Sequence, residues 1–487
     1  MHGPGLQWKF ILRVIGIILI LESLFMFISA GIAYYYQGGD LNGFLWSAAI
    51  TLLCGLALSL SLGFRKVPII GKREGYLSVA LSWISFALFG SLPFYLSGEI
   101  PSFTDAFFES MSGITTTGAT ILTHVDFISN GLLFWRSLMQ WLGGMGIILF
   151  SLALMPLLGG GAAQLFDAES TGLTHDKFRP RVTQMAKRLW AIYLILTLLL
   201  IFLLSLSDMN GYDAVCHAFT TISTGGFSTH QAGIAYWNSM YIESILLVFM
   251  IIGAINFSLL YFLINGQFRK FFRDEELRWF LAIILFVGVS AGVDLFINKD
   301  YPLLLSFRTS VFQVVSIITT TGFSTCNYSL WGPFYLFLFI LLMIVCGCAG
   351  STSGGLKTVR AVVLIKNTFC EFKRLIHPRA IIPVRLNGSA IAFGTVQRLL
   401  AFAFLYIGIL FVSWGILTLT GMPLERALGS AVSALGNVGS SLGSADSSAS
   451  YTDITAFAKW YLSFLMVAGR LEIFTLLILF TPDFWKR

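Results

Sequence analysis

The sequence predicts an all-α polytopic membrane protein in which two N-terminal helices precede four parallel helix–pore loop–helix repeats around one central pore. Three observations support this fold class. Of the 487 residues, 56% are hydrophobic and 11% are charged, whereas soluble domains carry about 25% charged residues. Roughly ten apolar runs match the length of a membrane span. Four similar glycine turns recur between those runs.

The apolar runs predict the helices that cross the bilayer. A helix needs roughly 20 apolar residues to cross the hydrocarbon. The first run is longer than the apolar region of a signal peptide and continues into Tyr34, so we expect a retained helix. The runs lie near residues 11–36, 43–64, 75–97, 132–158, 186–207, 241–265, 277–297, 333–355, 397–420 and 457–480.

Charged residues predict the orientation of these helices. Basic clusters occupy alternate loops, and the loops between them carry mainly acidic residues such as Asp40, Glu99 and Asp213. The positive-inside rule therefore predicts that the basic clusters and both termini are cytoplasmic and that the glycine turns face outward. Because the basic residues lie in short loops, the net charge of +7 indicates no nucleic-acid partner. The clusters comprise Arg65, Lys66, Lys72 and Arg73; Lys177, Arg179, Arg181, Lys187 and Arg188; Arg269, Lys270, Arg273 and Arg278; and Lys366, Lys373, Arg374, Arg379 and Arg385.

The four turns share more than their glycines, which are Gly118, Gly226, Gly322 and Gly439. Hydroxyl side chains recur six positions before and two positions after each glycine. A short helix precedes each turn, near residues 103–115, 211–223, 307–319 and 424–436, and is too short to span a bilayer. The hydroxyl residues are Ser112, Thr220, Ser316 and Ser433 before the glycine, and Thr120, Ser228, Ser324 and Ser441 after it.

Each unit therefore consists of a long helix, a short re-entrant helix, a glycine turn and a second long helix. Non-helical backbone persists at membrane depth only where protein buries it or where it lines an aqueous path. We expect five segments: an N-terminal extension over 1–70 and repeats over 71–175, 176–270, 271–385 and 386–487.

The turns predict a ring of oxygen ligands for a dehydrated cation. Backbone carbonyl rings replace the hydration shell of potassium in channels, whereas calcium-type filters favour carboxylate rings. No acidic residue lies in the turns, so a monovalent cation fits better. The candidate filter residues are Thr116, Thr117 and Gly118; Thr224, Gly225 and Gly226; Thr320, Thr321 and Gly322; and Asn437, Val438 and Gly439.

With these motifs the whole chain resembles the Trk/Ktr/HKT superfamily of potassium transporters, and its helix count resembles the Trk-type membrane subunit more than the Ktr type. The resemblance implies that the four turn glycines belong to a potassium selectivity filter. Glycine rather than serine at Gly118 implies a preference for potassium over sodium. The first turn departs from the family pattern at Ala119 and the fourth at Asn437, Val438 and Ser440, so the ring is imperfectly symmetric.

The same resemblance implies a potassium uptake protein of the bacterial inner membrane that conducts like a channel. It implies a homodimer whose basic cytoplasmic loops dock a TrkA-like ring of nucleotide-binding domains. The chain itself carries no nucleotide-binding fingerprint, so potassium is expected as the substrate and no cofactor is expected on this chain.

Two features predict a gate. The second long helix of the third repeat is interrupted between Ile344 and Thr358 by four glycines and three hydroxyl residues, and glycine costs about 1 kcal/mol relative to alanine in a helix. Arg470 lies within the last apolar run, where a central charge costs about 2.5–3.5 kcal/mol on insertion scales. The resemblance implies that this segment is an intramembrane gating loop with a pore arginine. The candidate gate residues are Gly347, Gly350, Ser351, Thr352, Ser353, Gly354, Gly355, Lys357 and Arg470.

Two other functions stay open at this point. A proton- or sodium-coupled potassium symporter would also carry broken helices, although carriers usually have inverted rather than parallel repeats. A membrane enzyme is disfavoured because the chain lacks HExxH and paired acidic signatures. The six cysteines form no CxxC pair, so neither a metal site nor a disulfide framework is expected.

Overall fold

A computed structural model describes residues 6–60, 71–146, 182–440 and 450–486. The described chain is mostly helical and has almost no strand, which confirms the predicted fold class. Its one sheet is a hairpin in which Arg385–Leu386 (β1) pairs antiparallel with Ser389–Ala390 (β2). Ser441, Arg65, Lys66, Lys177, Arg179, Arg181 and the proposed boundaries at 70 and 175 lie outside the described residues.

Two long helices form the N-terminal extension. Helix α1 (Trp8–Tyr35) packs along α2 (Leu41–Leu60) and also contacts the first repeat. The two helices approach closely because a Cβ added at Gly16 would lie 2.8 Å from the carbonyl oxygen of Gly55. Small residues at such crossings are the usual device for packing helices in a membrane.

Repeats one and two follow the predicted order. In repeat one, α3 (Lys72–Gly90) and its short continuation α4 (Leu92–Leu96) lead to the short helix α5 (Phe103–Ile114) and the second long helix α6 (Asn130–Gly144). Repeat two comprises α7 (Val182–Ser205), the short helix α8 (Gly211–Ile222), α9 (Met240–Ala254), α10 (Phe257–Ile264) and α11 (Phe268–Arg273).

Repeats three and four have the same plan. Repeat three comprises α12 (Glu275–Asn298), the short helix α13 (Leu303–Ile318), α14 (Pro333–Val345) and α15 (Thr358–Ile376). Repeat four comprises α16 (Phe393–Leu419), the short helix α17 (Leu424–Gly436), α18 (Ala456–Arg470), α19 (Ile473–Leu477) and α20 (Pro482–Trp485). Single 3₁₀ turns occupy Val125–Phe127, Gly233–Tyr236, Tyr328–Trp331 and Ile478–Phe480.

The short helix of repeat three starts earlier than the sequence suggested. It begins at Leu303 rather than near 307. The carbonyl of Pro302 accepts a hydrogen bond from Ser306 N at 2.9 Å, so the chain enters the helix directly after the proline. The other three short helices begin at the predicted residues and end within one residue of the prediction.

Two runs expected to be continuous spans are sharply bent. Six described helices are long and apolar enough to cross a membrane, and two bent helix pairs bring the number to eight. The pair α9–α10 bends by 108°, and the pair of α18 with the segment 473–480 bends by 116°. Asn256 starts α10 by accepting a hydrogen bond from Ser258 N, and Glu472 adopts a left-handed backbone at the second break. The run 333–355 is also interrupted, as expected, after Val345.

The four repeats form a closed ring in chain order. The second long helix of each repeat contacts the short helix of the next repeat: α6 contacts α8, α9 contacts α13, and α14 contacts α17. Helix α18 of the last repeat contacts α5 of the first and so closes the ring. The four short helices therefore surround one axis, and their turns meet there.

Candidate functional site

The four turns have the same unusual backbone. The residue two positions before each glycine is left-handed, although none of the four is a glycine. Left-handed backbone costs a residue with a side chain roughly 1–2 kcal/mol, and strain repeated at equivalent positions is typical of functional sites. The φ angles are 54° at Thr116, 54° at Thr224, 63° at Thr320 and 54° at Asn437, and 82°, 78°, 80° and 82° at Gly118, Gly226, Gly322 and Gly439.

Equivalent hydrogen bonds orient these turns. The residue before each glycine donates its N–H to the carbonyl six positions before that glycine. Because the N–H and C=O of a trans peptide point in opposite directions, the carbonyl two positions before the glycine points away from the short helix. The four bonds are Thr117 N to Ser112 O at 2.9 Å, Gly225 N to Thr220 O at 2.8 Å, Thr321 N to Ser316 O at 3.0 Å and Val438 N to Ser433 O at 2.9 Å.

The turns contact one another in a closed ring. A Cβ added to each glycine would collide with the carbonyl oxygen that precedes the glycine of the next turn. Because real Cβ contacts stay beyond about 3.0 Å, only glycine fits at these positions. The distances are 2.1 Å from Gly118 to Gly225 O, 1.7 Å from Gly226 to Thr321 O, 2.3 Å from Gly322 to Val438 O and 2.1 Å from Gly439 to Thr117 O.

Side chains support turns one and three in the same way and turn four in a different way. In turns one and three, two threonine hydroxyls meet at 2.8 Å (Thr115 and Thr117) and 2.9 Å (Thr319 and Thr321). In turn four, Asn437 Nδ2 donates to Thr117 Oγ1 at 3.0 Å and to Met466 O at 2.9 Å. The departure from the family pattern at Asn437 therefore provides a direct bond between the fourth and first turns.

The interrupted segment 346–357 lies directly beneath the turns. Thr352 Oγ1 accepts a hydrogen bond from Thr224 Oγ1 at 3.2 Å and lies 3.0 Å from the carbonyl oxygen of Gly253. Gly354 N donates to Thr320 Oγ1 at 3.4 Å. A Cβ added at Gly354 would lie 2.5 Å from Gly436 O. The segment thus contacts turns two and three and the end of the fourth short helix.

Its ends are held by neighbouring helices. Glu276 on α12 accepts hydrogen bonds from Ala349 N at 2.6 Å and from Val359 N at 3.1 Å. The carbonyl of Ala254 accepts from Cys348 N at 2.9 Å, which uses the carbonyl that the break between α9 and α10 leaves free. The candidate gate residues in the segment lie as follows: Gly347 against Ser353 Oγ, Gly350 against Asn256, Ser351 bonded to Ser353, and Gly355 against Cys346 Sγ.

Two positive side chains bind the backbone of this segment, one from α18 and one from within the segment. Arg470 donates from Nη1 to the carbonyl of Thr352 and from Nη2 to that of Gly143 at 2.7 Å, so it joins the segment to the first repeat. Lys357 is buried and donates from Nζ to the carbonyl of Ser353. Glu472, two residues after Arg470, binds Arg360 Nη2 at 2.6 Å. The nine candidate gate residues therefore come together below the ring of turns.

Sequence reasoning missed two groups that support the ring. Glu109 on the first short helix binds Arg136 Nε at 2.8 Å, with 0% and 2% of the side chains exposed, and also accepts from Ile121 N just after turn one. Arg136 lies 4.0 Å above the ring of Phe227. Gln140 on α6 binds turn two. The only signals in the sequence are polar residues at 109, 136 and 140 within apolar helices.

Comparison with known proteins agrees with this architecture. The sequence model of the TrkH family, described as a cation transport protein, matches residues 49–487. The chain is 38% identical to the Trk system potassium uptake protein TrkH of Halomonas elongata over 98% of its own length and 99% of that protein. It is 38% identical to the protein of the same name from Escherichia coli K12, over 99% of this chain and 100% of the relative.

A solved structure gives the same picture. The crystal structure of the potassium transporter TrkH from Vibrio parahaemolyticus superimposes with a TM-score of 0.89 at 37% identity, covering 99% of this chain and 100% of that one. The chain belongs to the TrkH family of cation transport proteins.

Proposed function

We propose that the chain is a potassium uptake protein that conducts potassium through the ring of four turns. The observation that carries this proposal is the closed order of contacts, in which each turn glycine faces the carbonyl oxygen preceding the glycine of the next turn. Carbonyl rings of this kind can replace the hydration shell of a monovalent cation. The twelve candidate residues of the turns contain no carboxylate. The relatives are named potassium uptake proteins.

We propose that segment 346–357 and Arg470 form the gate. The segment lies across the inner side of the ring, because it bonds Thr224 and Thr320 from below. Arg470 links it to the opposite side of the ring through Gly143. A fixed positive charge beneath the turns repels a cation that leaves them, so ions pass only after the segment and Arg470 move.

We also propose the setting in which the protein works. The helices long enough to span a membrane support a location in the bilayer. The basic loops support an orientation in a bacterial inner membrane with both termini in the cytoplasm. The relatives are named as parts of a Trk system, which supports a TrkA-like nucleotide-binding partner on those loops. We propose that the protein is a homodimer. The proposed boundaries between the N-terminal extension and the four repeats are at residues 70, 175, 270 and 385.

The test is ion flux through the purified protein in liposomes. Without a proton or sodium gradient, we expect potassium and rubidium to move down their own gradients and sodium to move more slowly. Potassium flux that requires an imposed proton or sodium gradient would instead support the coupled symporter. Equal sodium and potassium flux would contradict a selective ring.

A further inference from the structure

Turn two lacks the support that its neighbours have. In turns one and three the residue before the glycine is a threonine, and its hydroxyl binds a second threonine two positions earlier. In turn two these positions hold Gly225 and Ser223. Gly225 has no side chain, and Ser223 Oγ donates back to the carbonyl of Phe219 at 2.7 Å. Two consecutive glycines, Gly225 and Gly226, would leave this quarter of the ring the most flexible.

A side chain from the first repeat provides the support that the threonine pair gives in turns one and three. Gln140 on α6 is fully buried. Its Nε2 donates to Gly225 O at 2.7 Å, and its Oε1 accepts from Phe227 N at 3.1 Å. The amide thus binds the backbone on both sides of Gly226.

The absence of a side chain at Gly225 leaves the space that the Gln140 amide occupies. A Cβ added at Gly225 would lie 2.4 Å from Gln140 Cδ. A threonine at 225 would therefore displace the Gln140 amide from its present position. Turn two therefore has glycine instead of threonine at position 225, next to the site that the Gln140 side chain occupies.

We propose that Gln140 is a positioning residue for ion selectivity, which holds the Gly225 carbonyl in the ring in place of the threonine pair of turns one and three. This inference rests on the proposed function. The Gly225 carbonyl faces Gly118, so any rotation of its peptide changes the spacing between turns one and two. A looser ring accommodates smaller cations better, and sodium is the smaller ion.

The first test replaces Gln140 with residues that cannot donate. Gln140→Leu leaves Gly225 O and Phe227 N without the amide, whereas Gln140→Glu keeps only the acceptor. We expect Gln140→Glu to lower the potassium-to-sodium permeability ratio in liposomes by about fivefold, the factor for one lost buried hydrogen bond. Gln140→Leu loses both bonds and should lower the ratio further. The matched control is Gln231→Leu, because Gln231 Oε1 also accepts a backbone N–H, that of Val125 at 3.1 Å, but lies in an outer loop.

The second test is rescue. Gly225→Thr alone should lower the ratio because its Cβ collides with Gln140, whereas Gln140→Ala combined with Gly225→Thr should recover at least half of the loss seen for Gln140→Ala. A merely destabilised protein would not be rescued by a larger residue in the turn.

The outcomes separate the two proposals. A wild-type protein without selectivity contradicts the proposed function itself. A selective wild type with an unchanged ratio in Gln140→Leu, or in Gln140→Glu if the leucine variant does not fold, overturns the role of Gln140. A double variant no better than Gln140→Ala overturns the replacement of the threonine pair.

Discussion

At the residue scale, the turn glycines are required by space as well as by backbone conformation. Gly118 and Gly98 have nearly the same φ, 82° and 81°, so a side chain strains both equally. Only Gly118 faces a neighbour, since nothing lies within 4 Å of a Cβ added at Gly98. Substitutions at Gly98 and Gly118 therefore separate the effect of backbone strain from the effect of contact with the neighbouring turn.

Gly118→Ser should raise sodium permeation relative to potassium. Its Cβ would lie 2.1 Å from Gly225 O, and overpacking of this kind costs about 1–3 kcal/mol, so we expect roughly a tenfold fall in the permeability ratio. Reversal potentials in a bilayer or liposome flux measure it, with Gly98→Ser as the control. An unchanged ratio would remove Gly118 from the filter.

Arg470→Ala should increase cation flux in the absence of any partner protein. The change removes a positive charge beneath the turns and the bonds to Thr352 O and Gly143 O. We expect a several-fold rise in rubidium uptake by liposomes. Arg398→Ala is the control, because Arg398 is exposed and its hydrogen bonds to the described residues lie within its own helix. Equal or lower flux by a folded Arg470 variant would contradict a gating role.

At the scale of elements, breaks in two apolar runs provide the space and the hydrogen-bond partners for segment 346–357. Helix α9 ends at Ala254 and α14 ends at Val345, and segment 346–357 occupies the space that the breaks open. Backbone carbonyls of Gly253 and Ala254 accept from the segment, so groups left unpaired by the bend find partners. Hydropathy predicted continuous spans at 241–265 and 457–480 because it detects the length of an apolar run and not such tertiary hydrogen bonds.

Glu276→Ala should release the segment and raise flux. The carboxylate holds the amides of Ala349 and Val359, and leaving buried donors unsatisfied costs about 1–3 kcal/mol. We expect rubidium uptake several times that of the wild type. Glu275→Ala is the matched control, since the neighbouring carboxylate binds Lys366 rather than the segment. The proposal fails if both variants conduct equally.

At the scale of the whole molecule, the ring depends on one junction between the ends of the chain. Helix α18 of the last repeat contacts α5 of the first. There Lys459 donates to Asp105 Oδ1 at 2.6 Å and to Thr452 O at 3.0 Å. The pair is mostly buried, with 7% and 22% of the side chains exposed.

Lys459→Met should weaken this junction. Removal of a charged hydrogen-bond donor costs on the order of 1–3 kcal/mol, and we expect a lower thermal midpoint for the protein in detergent. Lys486→Met is the control, because Lys486 pairs with Asp483 at an exposed site, with 72% and 87% exposure. Equal midpoints for the two variants would show that the ion pair contributes nothing to closure.

The sequence predicted the order of helices and turns better than it predicted the buried polar side chains that hold them. The short helices and turns follow from residues close together in the chain, and the ring brings all twelve candidate filter residues together as expected, although their role stays a prediction. Gln140, Glu109 and Glu276 were not foreseen, because each binds backbone that the fold alone brings near. A glutamine or a glutamate in an apolar helix does not reveal which distant amide it will meet.

The contact of Gly439 with Thr117 O also has a consequence for biosynthesis. Chains emerge from the ribosome with the N-terminus first, so turn one is made long before its neighbour in turn four. Until turn four is synthesised, the ring of carbonyl oxygens is incomplete and the ion pair between Asp105 and Lys459 cannot form. Under the proposed function, a nascent or truncated chain has an incomplete filter. Assembly of the ring requires no encounter between subunits and is independent of protein concentration.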